Sequence, residues 1–320
     1  MWPLATRGAT GKPLASKLAV PATTAPRRLS TGLVLAALGA MGFSGKAIIV
    51  KLAYRYGVDA VTLITYRMLF ALPIFAVMAW WGGRGKAALT ARQWLGILGL
   101  GVSGYYLASF LDFYGLQFIS AALERLILYL NPTLVLLLGW LLYGRRFSAP
   151  QLLGMSISYG GVLLVFGHEI GQQGPQAAWG ALLVFLSAIS YAVYLVYSAE
   201  LVQALGSLRL VGLATTVACL CCMAQFVLLR PLSALAVAPE VIALSVLNAL
   251  ACTAAPVLMV MMAIERIGAA LSAQVGMVGP LSTILMGVLL LGERFTPWLL
   301  VGTLCVLVGI YVFTRSQRVR

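Results

Sequence analysis

Five ionisable side chains stand where an apolar chain should not hold them. Lys46, Arg67, Asp112, Glu124 and Arg125 each interrupt a run of aliphatic residues. At the centre of a spanning helix such a group costs roughly 2.5–3.5 kcal/mol even on a lenient scale, so it implies a partner, a wet cavity or a ligand. Three bases and two acids leave one positive charge over, which can receive a carboxylate. A buried carboxylate such as Glu124 can accept a proton or a substrate amine. Glu124 and Arg125 are sequence neighbours, which do not face each other on a helix, so each needs a partner elsewhere. The expected partners are Lys46 or Arg67 for Glu124 and Asp112 for Arg125. A static salt-bridge network that closes a gate is the competing role.

Further polar residues fall on shared helical faces. Tyr105, Ser109 and Asp112 recur at i, i+4, i+7; Glu124, Leu128 and Asn131 do likewise; Tyr191, Tyr194 and Ser198 share a third face. Tyrosine offers an aromatic body with a hydroxyl, so Tyr105, Ser109, Asn131, Tyr191, Tyr194 and Gln274 are expected to line a cavity, with ordinary packing as the alternative. Pro132 and Pro280 each remove a backbone donor and free a carbonyl, which predicts kinks that could serve gating.

The elements that must position these groups follow from composition. Of 320 residues 62% are hydrophobic and only 9% charged, against about 25% charged in soluble domains. The fold class is therefore all-α and integral to a membrane. Ten spans are read near 31–52, 60–81, 93–113, 119–143, 149–167, 177–199, 208–230, 240–263, 268–291 and 296–314, separated by Gly-, Pro- or charge-rich breaks such as YGRRFS, GHEIGQQGP and ERIG. Residues 1–30 read as a disordered basic tail, 168–176 as a periplasmic linker and 315–320 as a second basic tail. With the N-terminus in the cytoplasm, that side receives the basic residues of both tails and Arg84, Lys86, Arg92, Arg145, Arg146, Arg209 and Arg266. The other side receives Lys51, Arg55, Arg230 and Arg294, with Arg67 near it. The bias places both termini in the cytoplasm, with the chain spanning the inner membrane.

Other function classes lose ground. The net charge of +14 is scattered over short loops and tails, which excludes a nucleic-acid surface. Cys219 and Cys222 have CxxC spacing, but no second pair completes a metal site and His168 is the lone histidine. No P-loop, GxSxG or HExxH occurs, so neither enzymatic chemistry, a metal nor a cofactor is expected. The expected partners are a small-molecule substrate and the lipid bilayer, with a homodimer left open. A membrane-embedded enzyme or a non-transporting sensor stands as the alternative of another class.

The chain also repeats itself. A shift of 148 residues lays Pro132 on Pro280, Gly139 on Gly287, Gly144 on Gly292, Gly154 on Gly302 and Gly161 on Gly309. Each half, 31–167 and 177–314, then holds five spans. An odd number forces the second copy to enter the membrane from the opposite side, the inverted repeat through which many transporters alternate access. The same shift carries Lys46 onto Tyr194, Arg67 onto Thr215, Asp112 onto Val260, Glu124 onto Ser272 and Arg125 onto Ala273. One copy is thus built without the charges, so the scaffold does not require them.

The segments SAALERLILYLNPTLVLLLGWLLYGRRF and GAALSAQVGMVGPLSTILMGVLLLGERF, each followed by a glycine- and aliphatic-rich span, resemble the EamA type of the drug/metabolite transporter superfamily. The resemblance covers about residues 31–314. It implies export of a small organic metabolite, amino-acid-like or drug-like, and leaves open an antiporter for an anionic or sugar-linked one. GERF of the second copy reads GRRF in the first, where Arg145 replaces the acid, a departure that topogenic charge explains.

Overall fold

A computed structural model describes residues 26–143, 148–276 and 278–317. The described chain is helical throughout, in thirteen α-helices. The first repeat contains α1 (Pro26–Tyr54), α2 (Ala60–Gly83), α3 (Ala91–Leu100), α4 (Ala108–Gly115), α5 (Ala121–Leu128), α6 (Asn131–Tyr143) and α7 (Ala149–Gln173). The second contains α8 (Gln176–Leu205), α9 (Ser207–Leu229), α10 (Pro239–Ala249), α11 (Ala255–Val275), α12 (Val278–Met286) and α13 (Pro297–Gln317). Eight segments are long and apolar enough to cross a membrane, and two shorter apolar helices, Leu281–Leu291 and Pro297–Val312, complete the series. The protein is a multi-pass membrane protein.

Local chemistry sets several boundaries. Asp59 accepts from Val61 N and Thr62 N to start α2, and Thr90 with Gln93 forms a capping box for α3. Gly174 and Gly206 end α7 and α8 at φ of 75° and 82°, a backbone conformation that favours glycine. Two helices carry a π turn at matching places: Gly101–Leu107 joins α3 to α4, and Leu250–Ala254 joins α10 to α11. The shift of 148 relates them, so the duplication has preserved even this irregularity. A third π turn, Gly287–Leu291, follows α12.

Most of the main helix pairs join one repeat to the other: α2 with α9, α1 with α11, α4 with α8, and α7 with α13. The α7–α13 seam rests on glycine. A Cβ on Gly161 would lie 2.6 Å from Gly302 O, and one on Gly302 2.7 Å from Gly161 O, so the two backbones touch. Gly39 and Gly42 similarly admit Val260 and Pro256 of α11 against α1.

Three expected boundaries move. Helix α1 begins at Pro26, inside the stretch assigned to the tail, and residues 1–25 lie outside the described residues. Helix α7 runs on through His168–Gln173, leaving only Gly174 and Pro175 as the link, because nothing before Gly174 breaks a helix. The break expected at ERIG is absent, since α11 passes straight through it. The matching turn in the first repeat starts α5 at Ser120, whose Oγ accepts from Leu123 N at 3.0 Å. Gly268 stands at that place in the second repeat and offers no side-chain cap, while Glu265 and Arg266 are good helix formers.

Candidate functional site

The most buried charges meet where α1, α4 and α5 converge. Lys46 Nζ lies 2.5 Å from Asp112 Oδ2 and 3.0 Å from Glu124 Oε1. Glu124 is fully buried, Asp112 2% exposed, and the Lys46 side chain 15% exposed. One ammonium therefore holds two carboxylates. The contact with Glu124 is electrostatic more than directional, because neither Glu124 oxygen meets hydrogen-bond geometry among the described residues; Asp112 Oδ1 is equally unpartnered. Taking one cation away would leave two carboxylates in a low dielectric, which breaks a buried network at a cost of about 3–5 kcal/mol.

The two arginines hold neutral partners instead. Arg125 donates to Phe43 O (2.6 Å) and to Thr283 Oγ1 (3.2 Å), so the expected Asp112–Arg125 pair is replaced by Asp112–Lys46. The reason is reach: the first turns of α5 face α1 and α12, and Arg125 bridges to both. Arg67 donates from Nε to Thr253 Oγ1 at 3.1 Å and lies 5.0 Å above the Phe113 ring. Its Nη1 is buried without a hydrogen-bond partner among the described residues. Thr253 stands in the second π turn at the place Tyr105 holds in the first.

The tyrosines gather apart from these charges. Tyr105 Oη lies 3.4 Å from Tyr194 Oη, and Tyr191 stacks on Tyr194 with ring centroids 5.5 Å apart. They pack with Ile97, Leu210 and Ala214 between α3, α8 and α9. Ser109 is half-buried. The side chains of Gln274 and Pro280 lie outside the described residues.

Both repeats interrupt a helix beside a proline. Pro132 does not kink a continuous helix but stands, exposed, at the second position of α6 after a break at Tyr129 and Leu130. Its missing N–H would have served Leu128 O, and Asn131 Nδ2 donates to that carbonyl at 2.8 Å in its stead. Gly276 O, four residues before Pro280, accepts from Gly279 N at 3.0 Å and from Tyr129 Oη at 2.6 Å, the second bond crossing between the repeats. Gly279, the counterpart of Asn131, has no side chain to offer, and a Cβ there would lie 2.4 Å from Tyr129 Oη. Ser44 Oγ donates to Gly279 O at 2.9 Å, which ties α1 into the same crossing.

A second polar region escaped the sequence reading. At the end of the bundle where α1 terminates, a cavity of about 520 Å³ is lined by Lys51, Arg55, Ser120, Glu169, Glu293 and Arg294 among others. Glu169 accepts from Ser120 N at 3.2 Å and from Ser120 Oγ, while Glu293 Oε1 accepts from Ala121 N at 2.9 Å. Lys51 donates to Ile119 O (2.6 Å) and Leu116 O (3.3 Å). In the sequence Lys51, Glu169 and Glu293 stand at or between the expected spans, where a charge is ordinary. The one available signal was Ser120 three residues before Leu123, an N-cap whose remaining donors need acceptors.

Known proteins agree with this architecture. A solved crystal structure matches over 90% of this chain and 98% of its own, with a TM-score of 0.62 at 20% identity, a likeness of fold. The uncharacterized transporter YcbK of Bacillus subtilis is 29% identical over 280 residues, covering 84% of this chain and 88% of its own. The probable transport protein YPL264C of Saccharomyces cerevisiae is 38% identical over 96 residues, 27% of this chain and 25% of its own. The EamA-like transporter family matches twice, over residues 30–167 and 178–315, one match to each repeat, and the chain belongs to that family.

Proposed function

We propose that this protein is an inner-membrane secondary transporter that exports a small organic metabolite by alternating access between two inverted repeats, with both termini cytoplasmic. The observation that carries the reading of its site is the buried Lys46 ammonium shared by Asp112 and Glu124. Two acids on one base hold either a net negative charge or one proton more, so a proton or a substrate amine can exchange on Glu124. Such a group couples transport to proton entry. Arg67 and Arg125 supply positive charge with only neutral hydrogen-bond partners, which suits the carboxylate of an amino-acid-like substrate. The same two arginines favour a second reading, exchange of an anionic metabolite. Tyr105, Tyr191 and Tyr194 would line the path on the opposite side, and the breaks beside Pro132 and Pro280 would let the half-helices move.

The test is flux in vesicles carrying the purified chain, screened against metabolites under an imposed pH gradient and under counter-exchange. Proton coupling predicts that Glu124→Gln abolishes the pH dependence of flux while leaving exchange measurable. Unchanged coupling and unchanged substrate affinity in that variant would remove Glu124 from the mechanism.

A further inference from the structure

We infer that Glu169 and Glu293 form a latch that holds the cavity end of the bundle closed and lets go when both carboxylates are protonated. Both acids bond to the start of α5: Glu169 takes the backbone N–H and hydroxyl of Ser120, and Glu293 takes the N–H of Ala121. These donors belong to the first turn of a helix, which has no partners of its own and carries partial positive charge. An ionised acceptor makes such a bond roughly twice as strong as a neutral one. Protonation therefore weakens the hold without removing any atom.

Glu169 ties α5 to α7 within the first repeat, and the Glu293 half of the latch joins parts that must separate if this end is to open. Glu293 lies on the link between α12 and α13 of the second repeat, and α5 belongs to the first. Arg55 Nη2 crosses the same boundary to Leu291 O at 2.6 Å. Gly287 makes room for the Glu293 carboxylate, since a Cβ there would lie 2.8 Å from its Oε2. The charged and titratable groups around the two acids are Lys51, Tyr54 and Arg55 of α1, His168 of α7, and Arg294 of the link. Both carboxylates line the cavity of about 520 Å³, so protons reach them without crossing the bundle. Glu124 lies on the same short helix, one turn further in, so release of the α5 start frees the segment that carries it.

The opposite end has no such device in its sequence. The shift of 148 puts Gly268 at the place of Ser120, Arg145 opposite Glu293, and Gln317 at that of Glu169. Neither arginine nor glycine can accept these bonds as a carboxylate does. Acid then opens one end of the bundle only. In the orientation given above, that is the end facing outward, where protons enter.

This inference needs a transporter with two repeats and does not depend on the Lys46 cluster being the substrate site. The experiment uses no substrate, so its failure and that of the cluster reading are separable. Spin labels at positions 117 and 295, both exposed and on opposite sides of the latch, are placed on the full chain in nanodiscs after replacement of the five native cysteines. The distance between them is measured at about pH 8 and about pH 4, which straddle the ordinary glutamate value of about 4.3. The expected result is a population at longer distance that grows at the lower pH, and that is present at both pH values in Glu169→Gln/Glu293→Gln. If the double variant does not fold, Glu293→Gln alone must bring the long-distance population to a higher pH. Ser120→Ala, which removes one bond to Glu169, must do the same to a smaller degree. A wild-type distance that ignores pH, or a response that survives intact in the glutamine variants, overturns the latch.

Discussion

Residues 116–120 and 264–268 stand at the same place in the two repeats, yet the first is a turn and the second lies inside α11. Both stretches are followed by Ala-Ala-Leu. The difference is one capping side chain and the acids that answer it. Ser120 closes the first turn of α5 on Leu123 N, and Glu169 and Glu293 take its outward donors. Gly268 has no counterpart chemistry, and the helix continues. Duplicated backbones thus diverge by the price of a few hydrogen bonds, and the polar equipment of the molecule is concentrated in the repeat that makes the turn. Lys46, Asp112 and Glu124 sit directly beneath it, while Tyr194, Val260 and Ser272 hold the matching places.

The sharpest way to break this comparison is at the cluster. Lys46→Met should destabilise the detergent-solubilised protein by about 3–5 kcal/mol, because two buried carboxylates lose their shared cation. Tyr194→Phe, at the matching place, should cost no more than about 1.5 kcal/mol, the range of one net hydrogen bond. Equal midpoints in a thermal melt would mean that the two repeats are energetically alike after all. Next in size is the crossing point. Tyr129→Phe removes one of the two donors to Gly276 O, Gly279 N remaining, and should cost about 0.5–1.5 kcal/mol, whereas Gly279→Ala should be harmful because its Cβ meets Tyr129 Oη. Combining Tyr129→Phe with Gly279→Asn transplants the local solution of the first repeat, where Asn131 serves Leu128 O, and should recover part of the loss. No recovery would show that the two prolines are not answered in equivalent ways. The smallest effects belong to the cap itself. Ser120→Ala should cost about 1 kcal/mol, and Gly268→Ser should stay within about 0.5 kcal/mol because no acid waits to complete a turn there.

Much of this was legible in the sequence. Long apolar runs separated by glycine, proline and charge gave the helices, and the 148-residue shift gave the two copies. The Lys46–Asp112–Glu124 group stood out because charges inside apolar spans are costly and few. Their pairing was half readable: Lys46 or Arg67 was expected to meet Glu124, and Lys46 does, but Asp112 joins it instead of meeting Arg125, since side-chain direction across three helices has no signature in spacing. Glu169 and Glu293 were hidden by their position, because a charge at a helix end normally needs no explanation. Tyr129 was hidden for another reason, as a hydroxyl that serves a backbone carbonyl 147 residues later leaves no periodic trace. ERIG misled because glycine and charge punctuate most breaks, yet without a capping residue they did not make one.

The glycine seam between α7 and α13 has a mechanical meaning. At Gly161, Gly302 and Gly309 the two backbones come into direct contact, with Val165, Cys305 and Ser158 packed closely around them, which leaves little room for the helices to slide. Such close contact favours α7 and α13 moving together. Any rocking of one repeat against the other must then be taken up at the pair's attachments, and the shortest of these is Gly174–Pro175, where the chain leaves α7 for α8. In a transporter that works by rocking its repeats, a stiff shared axle with a two-residue joint would limit the swing and leave tilt about the axle as the freer motion.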